Sequence, residues 1–213
     1  MPSNSTKILL IITIVGAILV SVSSNSWLGT WIGLEINLIS FIPVTSNVKN
    51  TYNTEASLKY FNVQVLASAT LLFIVVIKML TEDLYTLERN LYTPIIICTP
   101  LLLKSIAAPL HLWFPGVMEG MRWENCALLI TVQKATPLIS ISYLIEINVF
   151  TLRIILISTT VGSNQTSIRK ILTYSSINHT GWMLIALTIS ENLWLVYLLH
   201  SLLNASTNCS VSY

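Results

Sequence analysis

The sequence predicts an all-α transmembrane protein with about eight spanning helices. Three observations carry that expectation. Hydrophobic residues make up 54% of the chain and charged residues only 9%, whereas charged residues supply about a quarter of a soluble domain. The apolar residues come in runs of roughly 15 to 25, long enough for a helix to cross a hydrocarbon core of ~30 Å. Those runs are also too long and too evenly apolar for barrel strands, and lipid excludes the open edge of a sheet.

Eight segments follow in order. The first covers about residues 8–23, behind MPSNSTK. Lys7, the apolar run and the small residues after it resemble a signal peptide, yet similar runs continue along the chain, so an uncleaved first helix is expected. The second spans about 27–46, after the break SSNS. The third runs from Glu55 to about Leu80, with Thr54 as N-cap and Glu55 in the first turn, where a carboxylate suits the helix dipole. The fourth starts near Pro94, a residue suited to a first turn, and reaches Pro109, with a half-helix beyond it. The fifth, sixth, seventh and eighth span about 124–146, 149–163, 168–189 and 191–203. A polar tail, residues 204–213, closes the chain, and the whole is one membrane domain.

Several classes of chemistry find no support. The net charge is +2 with no basic cluster, which argues against nucleic acid. Cys98, Cys126 and Cys209 are scattered, without the Cys/His spacing of zinc, haem or iron–sulfur sites. Glycine-rich nucleotide motifs are missing, so this chain itself is expected to hold no cofactor, metal or redox centre. Asn-x-Ser/Thr strings at Asn4, Asn164, Asn178, Asn204 and Asn208 are what an Asn/Ser/Thr-rich chain produces by chance.

Loop charge orients the helices. Lys7, Lys49, Arg122, Arg169 and Lys170 fall on the N-terminal side, whereas Glu82, Asp83, Glu88, Arg89, Glu146 and Glu191 fall opposite, with Arg153 just inside the sixth helix. The Lys/Arg bias places the N-terminus on the inner side of the membrane.

Ionisable groups within the spans mark the site, because a charge at membrane depth is costly and rare. Lys59, one turn from Glu55, and Lys78, near a helix end, can extend to the headgroups. Three others are too deep for that. Glu35 lies eight residues into its segment, ~12 Å at 1.5 Å per residue; Lys104 and Lys134 each lie ten residues in, ~15 Å and half of the core. The fourth and fifth helices are antiparallel neighbours, so both lysines reach the same level from opposite sides. Pro109 lacks the N–H that would meet the Ser105 carbonyl, and Pro137 the one that would meet Gln133. Each lysine therefore stands beside a polar opening in its own helix, although either proline alone could be an ordinary packing kink. His111 and His179 sit level with polar groups and suit either a proton relay or a hydrogen bond between helices. Desolvation disfavours a charged lysine and a carboxylate favours it, so Glu35 and Lys104 form the natural coupled pair. A carrier whose proton affinity follows its neighbours is what proton translocation needs.

The strings SSNSWLGTWIGLEINLISFIP, TEASLKYF, LLKSIAAPLHLWFPGVMEG, VQKATPLISISYL and QTSIRKILTYSSINHTGWM resemble the chain 2 family of animal mitochondrial NADH–ubiquinone oxidoreductase, respiratory complex I. The resemblance runs from about Asn4 to about Leu199. It implies an antiporter-like, inverted-repeat fold with a broken helix near Pro109, in which residues about 8–146 form a first five-helix repeat and about 149–203 begin a second. It further implies a multi-pass chain of the mitochondrial inner membrane, N-terminus toward the matrix, beside sibling antiporter-like chains and lipids. The resemblance also implies that NADH, FMN, iron–sulfur clusters and ubiquinone are used by partner subunits. Glu35 matches the glutamate paired with the pumping lysine, Lys104 that lysine, Lys134 the connecting lysine, and His111 and His179 positions on the polar axis. Members of the family continue beyond the point where this chain ends at NASTNCSVSY. The second repeat is thus expected to be incomplete, through truncation, a frame shift or division of the subunit between two chains. A non-pumping structural subunit of the same complex and a stand-alone cation/proton antiporter are the other readings of these residues.

Overall fold

The computed structural model describes residues 4–46, 50–82, 92–107, 110–144, 167–189 and 193–211. Those residues form helices and their connections, in the order α1 Asn4–Ser23, α2 Trp27–Thr45, α3 Thr51–Glu82, α4 Tyr92–Lys104, α5 Phe114–Gly120, α6 Trp123–Ser142, α7 Ile168–Ile189 and α8 Leu193–Val211. By length and composition α1, α2 and α3 can each cross a membrane. At 20 and 22 residues, α6 and α7 reach ~30 Å as well. The expected sixth segment, 149–163, lies outside the described residues.

Local chemistry explains most boundaries. Ser26 caps α2 by accepting the Gly29 N–H at 3.2 Å, one of the donors a helix start leaves open. Glu124 occupies the first turn of α6, where its charge meets the positive end of the helix dipole. Serine and threonine hydroxyls turn back onto carbonyls of their own helices, as at Thr13, Ser21, Thr30, Ser57 and Ser68. This is how a hydroxyl-rich sequence remains compatible with lipid. In α4, Pro100 cannot donate to the Ile96 carbonyl, and the Thr99 hydroxyl takes that acceptor at 2.8 Å.

Three expected boundaries are corrected. The third helix starts at Thr51, so Thr54 lies inside it; Asn50 offers its carbonyl to the N–H groups of Asn53 and Thr54 at 3.1 Å, and the Thr54 hydroxyl bonds back to Thr51. Glu55 accordingly pairs with Lys59 at 2.7 Å as an exposed i,i+4 contact instead of serving the dipole. The region 204–213 is helical as far as Val211, since α8 continues its backbone ladder through polar residues.

The third correction concerns the broken helix. The break is present, but α4 ends at Lys104, and Pro109 lies outside the described residues. The chain leaves the helix through a Schellman turn: the Ile106 N–H reaches the Leu103 carbonyl at 3.3 Å and the Ala107 N–H reaches Leu102 at 3.0 Å. Ile106 occupies the left-handed position of that turn, with φ +63°, where a β-branched side chain is strained and glycine is usual. Its side chain is fully buried, so packing holds it there.

The helices pack around α6, which touches α1, α2, α4, α7 and α8. Close approach requires glycine at two places. A Cβ on Gly33 would lie 2.7 Å from the Ser21 backbone nitrogen, where α1 meets α2. One on Gly120 would lie 2.8 Å from the Tyr52 carbonyl, where α5 meets α3. Two apolar cores result. One includes Leu34, Leu71, Leu101, Leu138 and Met183; the other includes Phe41, Tyr60, Ile106, Leu129 and Ile177. Helices α2, α3, α6 and α7, and the chain at the end of α4, each pass from one core to the other. Between them they place Asn37, Gln64, Gln133, Lys134, Thr180 and Lys104, all buried. A polar layer thus lies between two apolar cores.

The strained turn is testable. Ile106→Ala removes core packing, a loss of about 2–5 kcal/mol, and keeps the left-handed strain of about 1–2 kcal/mol, which glycine lacks. Ile106→Gly is therefore expected to destabilise the protein by about 1 kcal/mol less than Ile106→Ala, read as the higher Tm of the two. A glycine variant melting below the alanine variant would contradict this origin of the break.

Candidate functional site

The site is the polar layer, and its two amines are held differently. Lys134 projects from the middle of α6 toward α7. Its Nζ donates to the Ser176 carbonyl at 3.0 Å and to the Ser176 hydroxyl at 3.2 Å, and it lies 5.5 Å from the centroid of the Phe114 ring. Ser176 itself donates to the Thr173 carbonyl, 2.7 Å away. The ammonium thus meets a fixed pair of oxygens and the electron-rich face of an aromatic ring. Pro137 interrupts the ladder one turn later, yet α6 continues to Ser142.

Lys104 is the last residue of α4, at the carbonyl-rich end that favours a cation. It is 5% exposed, and its Nζ makes no hydrogen bond to protein. It lines a void of about 10 Å³ with Asn37, Tyr60, Gln64 and Gln133 as the other polar walls, and Leu34, Leu38 and Pro137 completing it. The shared void sets Lys104 level with residues 133–137 of α6. The two lysines are therefore neighbours in depth that face different helices.

Glu35 stands on the flank of α2, half-buried, with Oε2 buried and lacking a hydrogen-bond partner. It forms no ion pair with Lys104 within 4.0 Å. His111 is buried in the connection between α4 and α5, its ring edge-on to Tyr174 of α7 at 6.4 Å. His179, half-buried on α7, has Nδ1 2.8 Å from the hydroxyl of Tyr197 on α8. Helix α7 thus carries Tyr174 against His111, Ser176 against Lys134, and His179 against Tyr197. No hydrogen bond joins Lys134 to His179.

An unforeseen connection lies beside Lys134. Gln133 and Asn37 face one another as a reciprocal amide pair: Asn37 Nδ2 donates to Gln133 Oε1 at 3.0 Å, and Gln133 Nε2 donates to Asn37 Oδ1 at 3.1 Å. The Tyr60 hydroxyl adds a longer bond to Gln133 Oε1 at 3.5 Å. These residues tie α2, which carries Glu35, to α3 and to α6, which carries Lys134. A sequence signal exists for part of this. Asn53, Ser57, Tyr60, Gln64 and Ser68 recur at three- and four-residue spacing, which puts them on one face of α3, and all five are buried. At the bundle end where α5 meets α3, Lys170 pairs with Glu119 at 3.0 Å. Arg169 donates to the Glu119 carbonyl at 2.6 Å and stacks 4.8 Å over Trp123.

Among the described residues no group of histidine, cysteine and carboxylate is arranged to hold a metal. What the layer offers is buried amines, a buried carboxylate oxygen and neutral polar partners.

Comparison with known proteins gives the family and the fold. The family described as NADH:quinone oxidoreductase/Mrp antiporter, TM, matches residues 24–213. The chain belongs to that family. It is 50% identical over 211 residues to NADH-ubiquinone oxidoreductase chain 2 of Anopheles gambiae, an overlap covering 97% of this chain and 62% of the mosquito protein. Against the Oryctolagus cuniculus protein of the same name it is 37% identical, covering 88% of this chain and 56% of that one. The chain therefore spans about three-fifths of the length of the curated relatives it matches. In three dimensions it is similar to a chain of respiratory complex I from Thermus thermophilus with bound aureothin. That likeness has a TM-score of 0.82 at 23% identity, covering 97% of this chain and 52% of that one. A chain of the Mrp complex from Dietzia sp. gives 0.79 at 14% identity, with 92% and 42% covered. Both show the antiporter-like, all-α membrane fold.

The amide pair yields a prediction. Asn37→Leu or Gln133→Leu leaves one buried amide unmatched, a loss of about 1–3 kcal/mol each. The double substitution is expected to lose about 1–2 kcal/mol less than the sum of the singles. Thermal unfolding of the four proteins in one membrane mimetic measures it, and strict additivity would show that the pair is not coupled.

Proposed function

We propose that this chain is a core membrane-arm subunit of respiratory complex I that contributes a proton-translocation path through Glu35, Lys104 and Lys134. In this reading NADH oxidation and ubiquinone reduction take place on partner subunits, which hold the FMN and the iron–sulfur clusters. The observation that carries it is the buried polar layer, with two amines at one depth and a buried carboxylate oxygen on the adjoining helix. An ammonium in that layer balances desolvation against neighbouring charge. Proton occupancy then responds to movements of Glu35 relative to Lys104 and of α7 relative to Lys134.

The roles follow from the geometry. Lys104 is the switching group, because it has no fixed protein partner and its helix ends beside a strained turn. Lys134 is the next station, held by Ser176. His111 and His179 extend the path along α7 at either side, with Tyr174 and Tyr197 as their ring and hydroxyl neighbours. The relatives' names support assignment to complex I, and the lysine and arginine bias of the loops supports an N-terminus on the matrix side of the inner mitochondrial membrane. Outward apolar side chains on α1 and α3, such as Ile12, Leu19, Leu66 and Phe73, suit lipid or sibling antiporter-like chains. Residues 8–146 and 149–203 are read as a first inverted repeat and the start of a second.

The test is Lys104→Met in assembled complex, with protons translocated per NADH oxidised as the readout. Removing a proton-transfer group slows its step by about 10²-fold or more, so the pumping ratio should fall while assembly and NADH oxidation by artificial acceptors persist. Normal assembly with an unchanged ratio would favour a structural, non-pumping subunit.

A further inference from the structure

The outer row of α1, with Ile8, Ile12, Val15 and Leu19, is apolar, as a lipid-facing surface requires. The outer surface formed by α7 and α8 is different. On α7 the exposed row is Ile168, Ile171, Ser175, Asn178 and Trp182. On α8 it is Leu193, Val196, His200 and Leu203. Three- and four-residue spacing puts each row on one helix face, as in a seam that receives another helix. Depth follows from the contact between the two helices. His179 lies midway along α7, a helix of 22 residues, and its Nδ1 is 2.8 Å from the Tyr197 hydroxyl. Tyr197 is therefore near the middle as well. Asn178 lies ~1.5 Å from that level along its helix, and His200 ~4.5 Å along its own. Helix α7 ends at Ile189 and α8 begins at Leu193, and so short a connection sets consecutive helices antiparallel. Both displacements are then toward the same membrane face, and the two side chains differ in depth by only ~3 Å.

They also open one way. One residue back from His179 is a rotation of about −100°, and three on from Tyr197 is about +300°, the same as −60°. Antiparallel neighbours turned to the same hand from their shared contact face the same side of the pair. Hydrocarbon satisfies neither polar group there. Asn178 is exposed and its side chain bonds to nothing among the described residues. His200 is exposed, with Nδ1 3.3 Å from Asn204 Nδ2. An amide nitrogen only donates, so Nδ1 accepts and the ring proton stands on Nε2. Both groups lie ~10 Å or more inside a ~30 Å core, too deep for short side chains to reach the headgroups, and a polar group without a partner is costly there. We propose that this α7–α8 surface is a docking seam for a transmembrane helix from outside these 213 residues, one that carries a carboxylate or carboxamide oxygen level with Asn178 and His200. That oxygen accepts from His200 Nε2 and from the Asn178 amide, while apolar neighbours pack on Ile171, Val196 and Leu203. A second copy of this chain is the poorer complement, because it sets the His200 donor against itself. The seam uses none of Glu35, Lys104 and Lys134, so it stands or falls apart from the proposed proton path.

A cryo-EM map of the native membrane assembly that contains this chain shows what covers the seam. The expected result is one helix against α7 and α8, with an Asp, Glu, Asn or Gln oxygen about 2.7–3.2 Å from His200 Nε2 or the Asn178 amide. Acyl-chain density, a second copy of this chain, or a helix with no such side chain at that level overturns the proposal. Substitution gives a second reading. His200→Leu removes the donor, and the share of chain that stays with its partners through detergent washing is expected to fall about three- to tenfold, the range of one interhelical hydrogen bond. His200→Gln keeps an N–H donor and should recover most of that loss. On a lipid-facing surface leucine is the better residue, so unchanged or increased retention of His200→Leu equally overturns the seam. The wild-type map decides even where a variant does not fold.

Discussion

An ammonium group placed halfway through a hydrocarbon layer needs polar surroundings, and the packing here supplies them twice by different means. Lys134 takes a backbone carbonyl and a hydroxyl from one residue of the neighbouring helix. Lys104 takes no protein oxygen at all, and is left with the field of its own helix terminus, the charge of Glu35 and a polar void. The difference in holding is a difference in freedom. A group bonded to two fixed oxygens keeps its place, whereas one balanced among weaker influences can be moved by a small change in any of them.

The rest of the architecture serves that contrast. Helix α6 sits at the hub because it carries both Gln133, facing α2 and α3, and Lys134, facing α7, and adjacent residues on a helix point about 100° apart. The two apolar cores on either side of the layer lower the local dielectric, so electrostatic effects inside are stronger than at a surface. The break after Lys104 shortens α4 and ends it inside the layer, which brings the negative end of its dipole to the amine. An isoleucine in a left-handed conformation makes that break, and burial of its side chain offsets the strain. The most strained backbone position therefore adjoins the least constrained charge, as is common where strain is part of function.

Much of the fold was legible because helix length, depth and polarity are local quantities. The rise per residue placed Glu35 and Lys134 inside their helices, whereas Lys104 closes its helix instead of standing midway along it. The match of Lys104 with residues 133–137 in depth followed from the antiparallel order of two helices. The presence of a break beyond Lys104 was legible as well. Its cause was not, since proline is the visible helix breaker in LKSIAAPLHL and a positive φ at isoleucine depends on the core that receives the side chain. Thr54 and Glu55 read as a helix start because their chemistry fits one, but Asn50 offered its carbonyl a turn earlier. The polar residues after Leu203 looked like a tail, yet a helical ladder runs through them. The Asn37–Gln133 pair spans 96 positions, and no periodicity in either helix indicates which amide will meet which.

By itself the sequence determined the class and the family, because apolar run length and motif strings need no partner. Tertiary structure decided which oxygens meet which amine: Ser176 for Lys134, a void lined by amides for Lys104, and Tyr197 for His179. The physical reason is that a hydrogen bond is a contact within about 3 Å. That distance depends on how helices far apart in sequence rotate and settle against one another, and only the packed bundle sets those rotations.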